Sequence, residues 1–270
     1  MKKIIMTLTM VLLVMSLSVP MFAAADGDSW GKVPITLDEI KVDAGMDPVY
    51  SYGLNTVITV PDKPEYKTGT TGEAWVLWDG KDTLFIYVEV MDKEVIMPHG
   101  VGEAWDTDSV EVFIDYSNLN LRTRDQYRID VAGAPTYYAT ETINKDKVGE
   151  YGFEKWAAKK IDGGYALEFQ IKAYKEPIKA GMKIGFDLQI NDMYMSGGKE
   201  TRATYHSPSK LAANGSAAKY NYIELSAEEV SIPVEAPKAD AKAPATADPM
   251  LILMAVSALT GGIVISKKRR

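Results

Sequence analysis

Four side chains near the middle of the chain have the types and spacing to recognise a neutral, hydroxylated ligand. Trp105 lies in a polar segment just before an alternating run that contains Glu111, and Arg128 and Asp130 share one side of the next such run. An indole ring offers a flat apolar surface, carboxylates accept hydrogen bonds and a guanidinium donates them. A sugar has an apolar face of C–H groups and vicinal hydroxyls that both donate and accept, so this set suits a sugar.

The same residues also fit a purely structural arrangement. In that alternative, Trp105 plugs the end of the domain, and Glu111 and Arg128 form a cross-strand ion pair. Spacing taken alone favours the structural arrangement, and both interpretations stay open at this point.

The elements that would carry these side chains are β-strands. In the runs 84–90, 110–114 and 184–190, apolar side chains occupy every second position. A period of two is typical of a strand with one buried face. An Asp-Gly pair at 79–80 and an Asp-Gly-Gly run at 162–164 are hairpin signals, because Asp and Gly tolerate positive φ angles.

The predicted fold class is all-β. No amphipathic helix is evident between residues 32 and 229, and many short strands without helices predict an antiparallel β-sandwich. Apolar residues occupy the positions that alternate with Glu111, Arg128 and Asp130. If these strands lie in one sheet, we expect Trp105, Glu111, Arg128 and Asp130 to meet on a solvent-facing surface.

Composition narrows the classes of function. The chain contains no Cys and two His residues, so it has few candidates for zinc sites or nucleophilic triads. The sequence has no phosphate-binding loop or serine-hydrolase motif. Its net charge of −7 argues against nucleic acid as a partner. These observations predict a protein that is not an enzyme.

The two ends of the chain predict export and attachment. Residues 1–25 have the basic start, apolar run and small-residue site of a secretory signal peptide. Residues 249–270 combine an uncharged apolar stretch with a basic tail, which is typical of a hydrophobic anchor. Residues 230–248 have the Pro- and Ala-rich composition of a stalk. We expect residues 26–229 to form the folded domain of a protein at the cell surface.

Several segments, taken in order, resemble family 9 carbohydrate-binding modules, which occur in xylanases and other surface glycan proteins. The similarity spans about residues 32–226. It implies a β-sandwich of the family 9 or DOMON-like kind, and a polysaccharide partner such as xylan or a β-glucan. The matching segments are 105–115, 76–88, 126–130, 163–171 and 184–192.

The resemblance also implies roles for individual residues. In sugar-binding members, two tryptophans enclose a terminal sugar while Glu, Arg and Asn side chains bond its hydroxyls. Trp105, Glu111 and Arg128 match the first Trp, the Glu and the Arg. Asp130 stands where an Asn is usual.

The second tryptophan of the family has no direct counterpart in this chain. The loop at 210–216, where it is expected, contains no aromatic residue, and Tyr220 and Tyr222 are the substitutes that the sequence offers. We therefore expect weaker binding than in members with both tryptophans.

Family members also hold structural Ca²⁺, so the resemblance implies such an ion here as well. Ca²⁺ prefers oxygen ligands, particularly carboxylates. Ordinary turn residues would look the same in the sequence, so no metal site is singled out. The candidate ligands are Asp43, Asp47, Asp92, Asp106 and Asp108.

The segment 243–247, Ala-Pro-Ala-Thr-Ala, resembles a sortase sorting signal of Gram-positive bacteria. Alanines replace the usual Leu and Gly. The resemblance implies cleavage after Thr246 and attachment of that residue to the cell wall. A simple membrane tail is the alternative.

Two other non-catalytic functions remain open. One is a structural or adhesive surface module that keeps the sandwich without binding sugar. The other is a haem-binding DOMON-like domain, for which Met97 and His99 are the candidate ligands. These two residues share one loop, which does not suit ligands on opposite sides of a haem.

Overall fold

The computed structural model describes residues 29–61, 69–97, 107–116, 125–139, 142–143, 151–174, 177–194, 200–205 and 221–233. In these ranges the only helical element is a short 3-10 helix, Pro48–Tyr52, so the predicted all-β class is confirmed. The strands are β1 (Ser29–Thr36), β2 (Leu54–Ile58), β3 (Val60–Pro61), β4 (Thr71–Trp78), β5 (Thr83–Met91), β6 (Ser109–Asp115), β7 (Asp125–Asp130), β8 (Pro135–Ala139), β9 (Thr142–Ile143), β10 (Phe153–Ile161), β11 (Gly164–Lys172), β12 (Lys183–Tyr194), β13 (Glu200–Tyr205) and β14 (Tyr222–Val230).

The alternating runs of the sequence form the two walls of the core. The alternating set is fully buried and comprises Leu84, Ile86, Val88 and Val90 in β5, Val110, Val112 and Ile114 in β6, and Ile184, Phe186, Leu188 and Ile190 in β12. They belong to one cluster of buried apolar residues, to which β4 and β11 also contribute. Burial of this shared apolar surface holds the strands face to face.

Eleven of the described strands follow one hydrogen-bonded path, in the order β10-β11-β5-β4-β1-β14-β12-β6-β7-β8-β9. The path folds over, so that β10, β11, β5 and β4 form a first layer and β12, β6, β7 and β8 form a second. Nε1 of Trp156 on β10 donates to the carbonyl of Gly133 after β7 at 3.2 Å, which joins the layers at one edge. The sandwich prediction is therefore confirmed.

Both predicted hairpins are present, and glycine is required in one of them. β10 pairs antiparallel with β11 up to Ile161 opposite Gly164, which leaves a two-residue turn. Gly163 in this turn has a φ angle of +76°. A Cβ atom on Gly164 would lie 1.8 Å from the carbonyl oxygen of Val90 on β5. Only glycine permits that approach.

The sandwich is not wholly antiparallel, so that part of the prediction was wrong. β1 runs parallel to β14, with Lys32 opposite Glu224, and also meets β4 in parallel at Ile35 opposite Trp78. Hairpins impose antiparallel pairing only on strands that they join. β1 is joined by a hairpin to neither neighbour, and alternation in the sequence does not report strand direction.

A second, smaller core covers the outer surface of the first layer. It packs Ile40, Val49 and Tyr50 against β4, β5 and β11. At its centre, the buried carboxylate of Glu168 on β11 accepts hydrogen bonds from the backbone N–H groups of Asp43 and Ala44 and from the hydroxyl of Tyr50, each at 2.9 Å. This carboxylate ties the segment before β2 to the sheet.

The chain divides into two compact units, Met1–Ile232 and Pro233–Arg270. The predicted signal peptide (1–25), anchor (249–270) and Thr246 lie outside the described residues, as does the stalk beyond residue 233. Within the described residues, no helix is long and apolar enough to cross a membrane.

Candidate functional site

A row of four polar side chains crosses the second layer on the face opposite the core. Gln189 on β12 lies opposite Glu111 on β6, Glu111 lies opposite Arg128 on β7, and Arg128 lies opposite Thr136 on β8. Successive residues of a strand point to opposite faces of the sheet. Because the apolar residues of these strands point into the core, the polar residues between them point to the opposite face. We call these four residues the polar row.

Glu111 is held in one orientation by neighbours on both sides. Nδ2 of Asn191 on β12 donates to Oε1 at 3.0 Å, and Nε2 of Gln126 on β7 donates to Oε2 at 2.7 Å. The ion pairs within 4.0 Å among the described residues do not include one between Glu111 and Arg128.

Two atoms of the polar row are buried without a hydrogen-bond partner. They are Nη1 of Arg128, a donor, and Oε1 of Gln189, an acceptor. The other end of each side chain is fixed: Nη2 of Arg128 donates to Oγ1 of Thr136 at 2.6 Å, and Nε2 of Gln189 donates to Oδ1 of Asn191 at 2.6 Å. Burying an unsatisfied polar group costs about 1–3 kcal/mol. The row therefore holds one unused donor and one unused acceptor, on either side of the Glu111 carboxylate.

The polar row is buried, whereas the sequence analysis expected a solvent-facing surface. Glu111, Arg128 and Asp130 are 4%, 5% and 7% exposed. Burial lowers the pKa of the Arg128 guanidinium, and the nearby carboxylates of Glu111 and Asp130 act in the opposite direction. The alternation of apolar and polar residues predicts which side chains share a face of the sheet. It does not predict whether other parts of the chain bury that face.

Asp130 lies on the same face of β7 as Arg128, as predicted. Its carboxylate also bonds the backbone of the turn that follows β7. Oδ1 accepts the backbone N–H groups of Ala132 at 2.9 Å and Ala134 at 2.8 Å, which closes the turn between β7 and β8. Its position opposite Ser109 places it one step along the strands from the polar row.

The aromatic candidates do not come together in the described part of the chain. Trp105 and Tyr220 lie outside the described residues. Tyr222 lies opposite Gly185 on β12, four residues before Gln189, and Nζ of Lys183 sits 4.6 Å from the centre of its ring. Tyr222 is therefore not in the polar row and does not replace the second tryptophan there.

Three of the polar contacts come from residues that the sequence analysis missed. Gln189 and Asn191 continue the alternating polar positions of β12, and Gln126 begins those of β7. The signal was present as a polar residue at every second position. Its meaning depends on strand register, which brings β12 beside β6 and which the sequence did not report.

A second polar feature is a cluster of three buried carboxylates, Asp92, Asp108 and Asp192, whose oxygens lie within 4.8 Å of one another. Asp108 accepts the backbone N–H groups of Ile96 at 2.5 Å and Met193 at 2.6 Å. Burial raises the pKa of Asp108 to about 7, and the charges of Asp92 and Asp192 act in the same direction. We call these three residues the acidic cluster.

The donors of the acidic cluster fit a hard cation. Oδ2 of Asp92 and the hydroxyl of Tyr165 are both buried without a hydrogen-bond partner. Burial raises the pKa of Tyr165, and the charges of Asp108, Asp92 and Asp192 act in the same direction. Carboxylates gathered in this way, with oxygen lone pairs unused, match the ligands of Ca²⁺.

The other proposed metal ligands do not join this cluster. Oδ1 of Asp43 accepts the N–H of Gly45 at 2.9 Å, and Oδ2 of Asp47 accepts the N–H of Lys41 at 2.8 Å, both beside the smaller core. Asp106 lies outside the described residues. Of the proposed haem ligands, Met97 is 56% exposed, and His99 also lies outside them.

Comparison with known proteins identifies the family. Residues 42–226 match the family described as carbohydrate family 9 binding domain-like. The chain belongs to this family, whose members are non-catalytic carbohydrate-binding modules. The predicted resemblance and the prediction that the chain is not an enzyme are confirmed by this membership.

The curated relatives are larger enzymes. Over 125 residues the chain is 32% identical to endo-1,4-beta-xylanase A of Thermotoga maritima, which covers 45% of the chain and 11% of the relative. Over 173 residues it is 29% identical to exoglucanase XynX of Acetivibrio thermocellus, which covers 63% of the chain and 14% of the relative. The chain therefore spans a small part of the length of these relatives.

Solved structures support the fold. A family 9 carbohydrate-binding module from Caldicellulosiruptor kristjanssonii, in complex with cellotriose, matches with a TM-score of 0.58 at 18% identity, covering 76% of this chain and all of that one. A putative carbohydrate-binding protein from Bacteroides uniformis matches with a TM-score of 0.50 at 10% identity, covering 74% of this chain and 99% of that one. At these identities the likeness concerns the fold.

Proposed function

We propose that this chain is a surface module that binds a polysaccharide, such as xylan or a β-glucan, through the polar row and Trp105. The observation that carries the proposal is the pair of buried, unpartnered atoms on either side of Glu111, Nη1 of Arg128 and Oε1 of Gln189. A sugar hydroxyl can accept from the first and donate to the second.

The roles of the side chains follow from their chemistry. Trp105 supplies an apolar surface for the sugar ring, and Glu111 and Arg128 bond its hydroxyls. Asp130 supports the row from the next position along the strand and fixes the β7–β8 turn. Each charge-assisted hydrogen bond contributes about 1.5–3 kcal/mol before the cost of ordering. With one tryptophan rather than two, we expect a dissociation constant on the order of 0.1–1 mM.

Support for the class of sugar comes from the relatives. Two of them are named as a xylanase and an exoglucanase, and the similar family 9 module was solved with cellotriose. Xylan and cellulose both offer pyranose rings with equatorial hydroxyls, so one polar row can serve either. We therefore place this chain's ligand among plant-type β-linked polysaccharides.

The location of the module is also part of the proposal. The signal peptide at 1–25 would direct export, and the segment 249–270 would hold the protein at the cell membrane or, after cleavage at Thr246, in the cell wall. The support is the composition of the two ends. A polysaccharide-binding module at the surface would keep the cell close to its substrate.

We further propose that the acidic cluster holds a structural Ca²⁺. When bound, the ion would neutralise the mutual repulsion of three buried carboxylates, which is costly without a counter-charge. Asp92, Asp108 and Asp192 would hold it, and the donor set described above is the support.

The binding function is tested with the purified full-length protein and Trp105→Ala, titrated with xylan, β-glucan and cellotriose. We expect the parent to bind at least one of these glycans and Trp105→Ala to lose binding while its melting temperature stays unchanged. Trp75→Ala is the matched control, because Trp75 is a half-buried indole on the outer surface of β4. If Trp105→Ala unfolds or binds as well as the parent, Trp105 is a packing residue. If the parent binds no glycan, the module is structural or adhesive.

A further inference from the structure

The acidic cluster lies directly beside the residues that shape the polar face. Asp108 immediately precedes Ser109 of β6, and Asp192 immediately follows Asn191 of β12. Asn191 donates both to Ser109 at 3.1 Å and to Glu111 at 3.0 Å. Each of these two proposed cation ligands is therefore the sequence neighbour of a residue in the hydrogen-bond network that orients Glu111.

The cluster also connects the two layers of the sandwich. Asp92 follows β5 of the first layer, whereas in the second layer Asp108 immediately precedes β6 and Asp192 lies on the adjacent strand β12. Within the second layer, Asp108 already bonds the backbone of Met193, two residues after Asn191. A single ion bound by all three carboxylates would fix the ends of β5, β6 and β12 relative to one another.

We propose that a divalent cation bound by Asp92, Asp108 and Asp192 controls the affinity of the polar row for its glycan. This inference rests on the proposed binding function and adds its regulation. Three carboxylates within 4.8 Å repel one another when they are charged and uncompensated. That repulsion would move Asp108 and Asp192, and with them Ser109 and Asn191, so that Glu111 loses its fixed orientation. With the cation present, the same residues stay in place.

The coupling is reciprocal. If the cation raises glycan affinity by some factor, the glycan must raise cation affinity by the same factor. Ordinary couplings between two sites span about 5- to 150-fold in affinity. The inference can therefore be measured from both sides of the thermodynamic cycle, and a purely local role of the ion in stability would not produce this symmetry.

The test uses the purified full-length protein and calorimetric titrations of CaCl₂ alone, of cellotriose or soluble xylan alone, and of each in the presence of the other. We expect Ca²⁺ to raise the melting temperature and to raise glycan affinity by about fivefold or more. We expect saturating glycan to raise Ca²⁺ affinity by the same factor. Asp192→Asn should abolish both the Ca²⁺-dependent melting shift and the Ca²⁺ dependence of glycan binding.

Two further variants keep the test decisive. Glu94→Gln removes an exposed carboxylate next to the cluster and should behave like the parent, which separates a ligand from a nearby charge. If Asp192→Asn does not fold, Asp92→Asn gives the same comparison.

The outcomes distinguish this inference from the proposals on which it rests. Equal glycan affinity with and without Ca²⁺, in a protein that Ca²⁺ stabilises, would overturn the coupling and leave both the metal site and the glycan function standing. A parent protein that shows no Ca²⁺-dependent melting shift would overturn the metal site and the coupling with it. Absence of glycan binding under every condition would reject the binding function itself, and with it the coupling.

Discussion

Glu111 and Arg128 lie directly opposite one another on β6 and β7, yet each is hydrogen-bonded to other partners. Amides of Asn191 and Gln126 hold the carboxylate, and Thr136 holds one nitrogen of the guanidinium. The attraction between the two charges therefore remains, but the hydrogen-bonding atom Nη1 is unused. In the proposed function, the sugar would bond to both residues of this pair.

The first prediction concerns the geometry of the guanidinium. Arg128→Lys keeps a positive charge beside Glu111 and Asp130 but removes the planar fork. Loss of one charge-assisted hydrogen bond, worth about 1.5–3 kcal/mol, corresponds to a fall in glycan affinity of about 10- to 150-fold. We expect no measurable binding by calorimetry and a melting temperature within a few degrees of that of the parent.

Thr136→Val is the control for this prediction. It removes the partner of Nη2 while leaving the guanidinium and its charge in place. We expect a smaller loss of affinity than in Arg128→Lys. Undiminished binding by Arg128→Lys would show that the charge alone matters and that Nη1 does not contact the sugar.

The second prediction concerns the buried acceptor on β12. Gln189→Leu removes Oε1, which has no partner, together with the amide that bonds Asn191. A neutral hydrogen bond contributes about 0.5–1.5 kcal/mol, so we expect affinity to fall about 2- to 12-fold. The substitution also leaves Oδ1 of the buried Asn191 without its donor, so we expect the free energy of unfolding to fall by about 1–3 kcal/mol.

The control for Gln189→Leu is Gln170→Leu, the same substitution on β11 of the first layer. Gln170 on β11 donates to Glu154 on β10 at 2.9 Å and lies on the outer surface. Gln170→Leu should leave glycan affinity as it is in the parent. If both substitutions reduce affinity equally, the effect is not specific to the polar row.

The sequence predicted the walls of the core because burial requires alternation, and alternation is visible in one dimension. The runs 84–90 and 110–114 are therefore found in strands with their apolar residues inside. The same rule placed Glu111, Arg128 and Asp130 on one face. It could not place Gln189 beside Glu111, because β12 and β6 are far apart in the chain and their register is a tertiary property.

The sequence also could not show which strands run parallel, or that other parts of the chain bury the polar face. The parallel pairing of β1 with β14 joins the first and last strands of the described residues, and their contact depends on the whole path between them. Burial of the polar face, and the meeting of Asp92, Asp108 and Asp192, likewise depend on how distant segments pack. Residue types indicated sugar and Ca²⁺ chemistry, and the fold then placed Glu111 opposite Arg128 and gathered Asp92, Asp108 and Asp192.

The third prediction concerns attachment to the cell. Deletion of residues 244–270 should release the protein into the medium, because both proposed modes of anchoring use this segment. Fractionation of producing cells and immunodetection of the medium measure the release. Retention equal to that of the full chain would exclude the segment as the anchor.

Thr246→Ala separates the two modes of anchoring. Cell-wall linkage requires cleavage after Thr246, whereas a membrane tail does not use this residue. If the wall mode operates, the variant should lose its covalent link to the wall and remain with the membrane fraction. The matched control is Thr260→Ala, which changes a threonine inside the apolar stretch and should not alter wall linkage.

The fourth prediction concerns the pH dependence of stability at the smaller core. Burial raises the pKa of Glu168 to about 7, although Tyr50, Ala44 and Asp43 donate hydrogen bonds that favour its charged form. In the unfolded chain a Glu has a pKa of about 4.3. Below that value Glu168 is protonated in both states and contributes no slope. Between the two values the folded state binds more protons than the unfolded state, so the free energy of unfolding falls as pH rises.

Glu168→Gln removes this titration. The free energy of unfolding of the parent minus that of the variant should therefore decrease between pH 4.5 and 7.5, by about 3 kcal/mol, and stay nearly constant above that range. Urea unfolding at a series of pH values measures the difference, which cancels the contribution of other groups such as Asp108. Glu154→Gln, an exposed substitution on the neighbouring strand β10, should parallel the parent at every pH. A constant difference between the parent and Glu168→Gln would show that Glu168 is ionised throughout this range in the folded protein. In that case its three hydrogen-bond donors outweigh the cost of its burial.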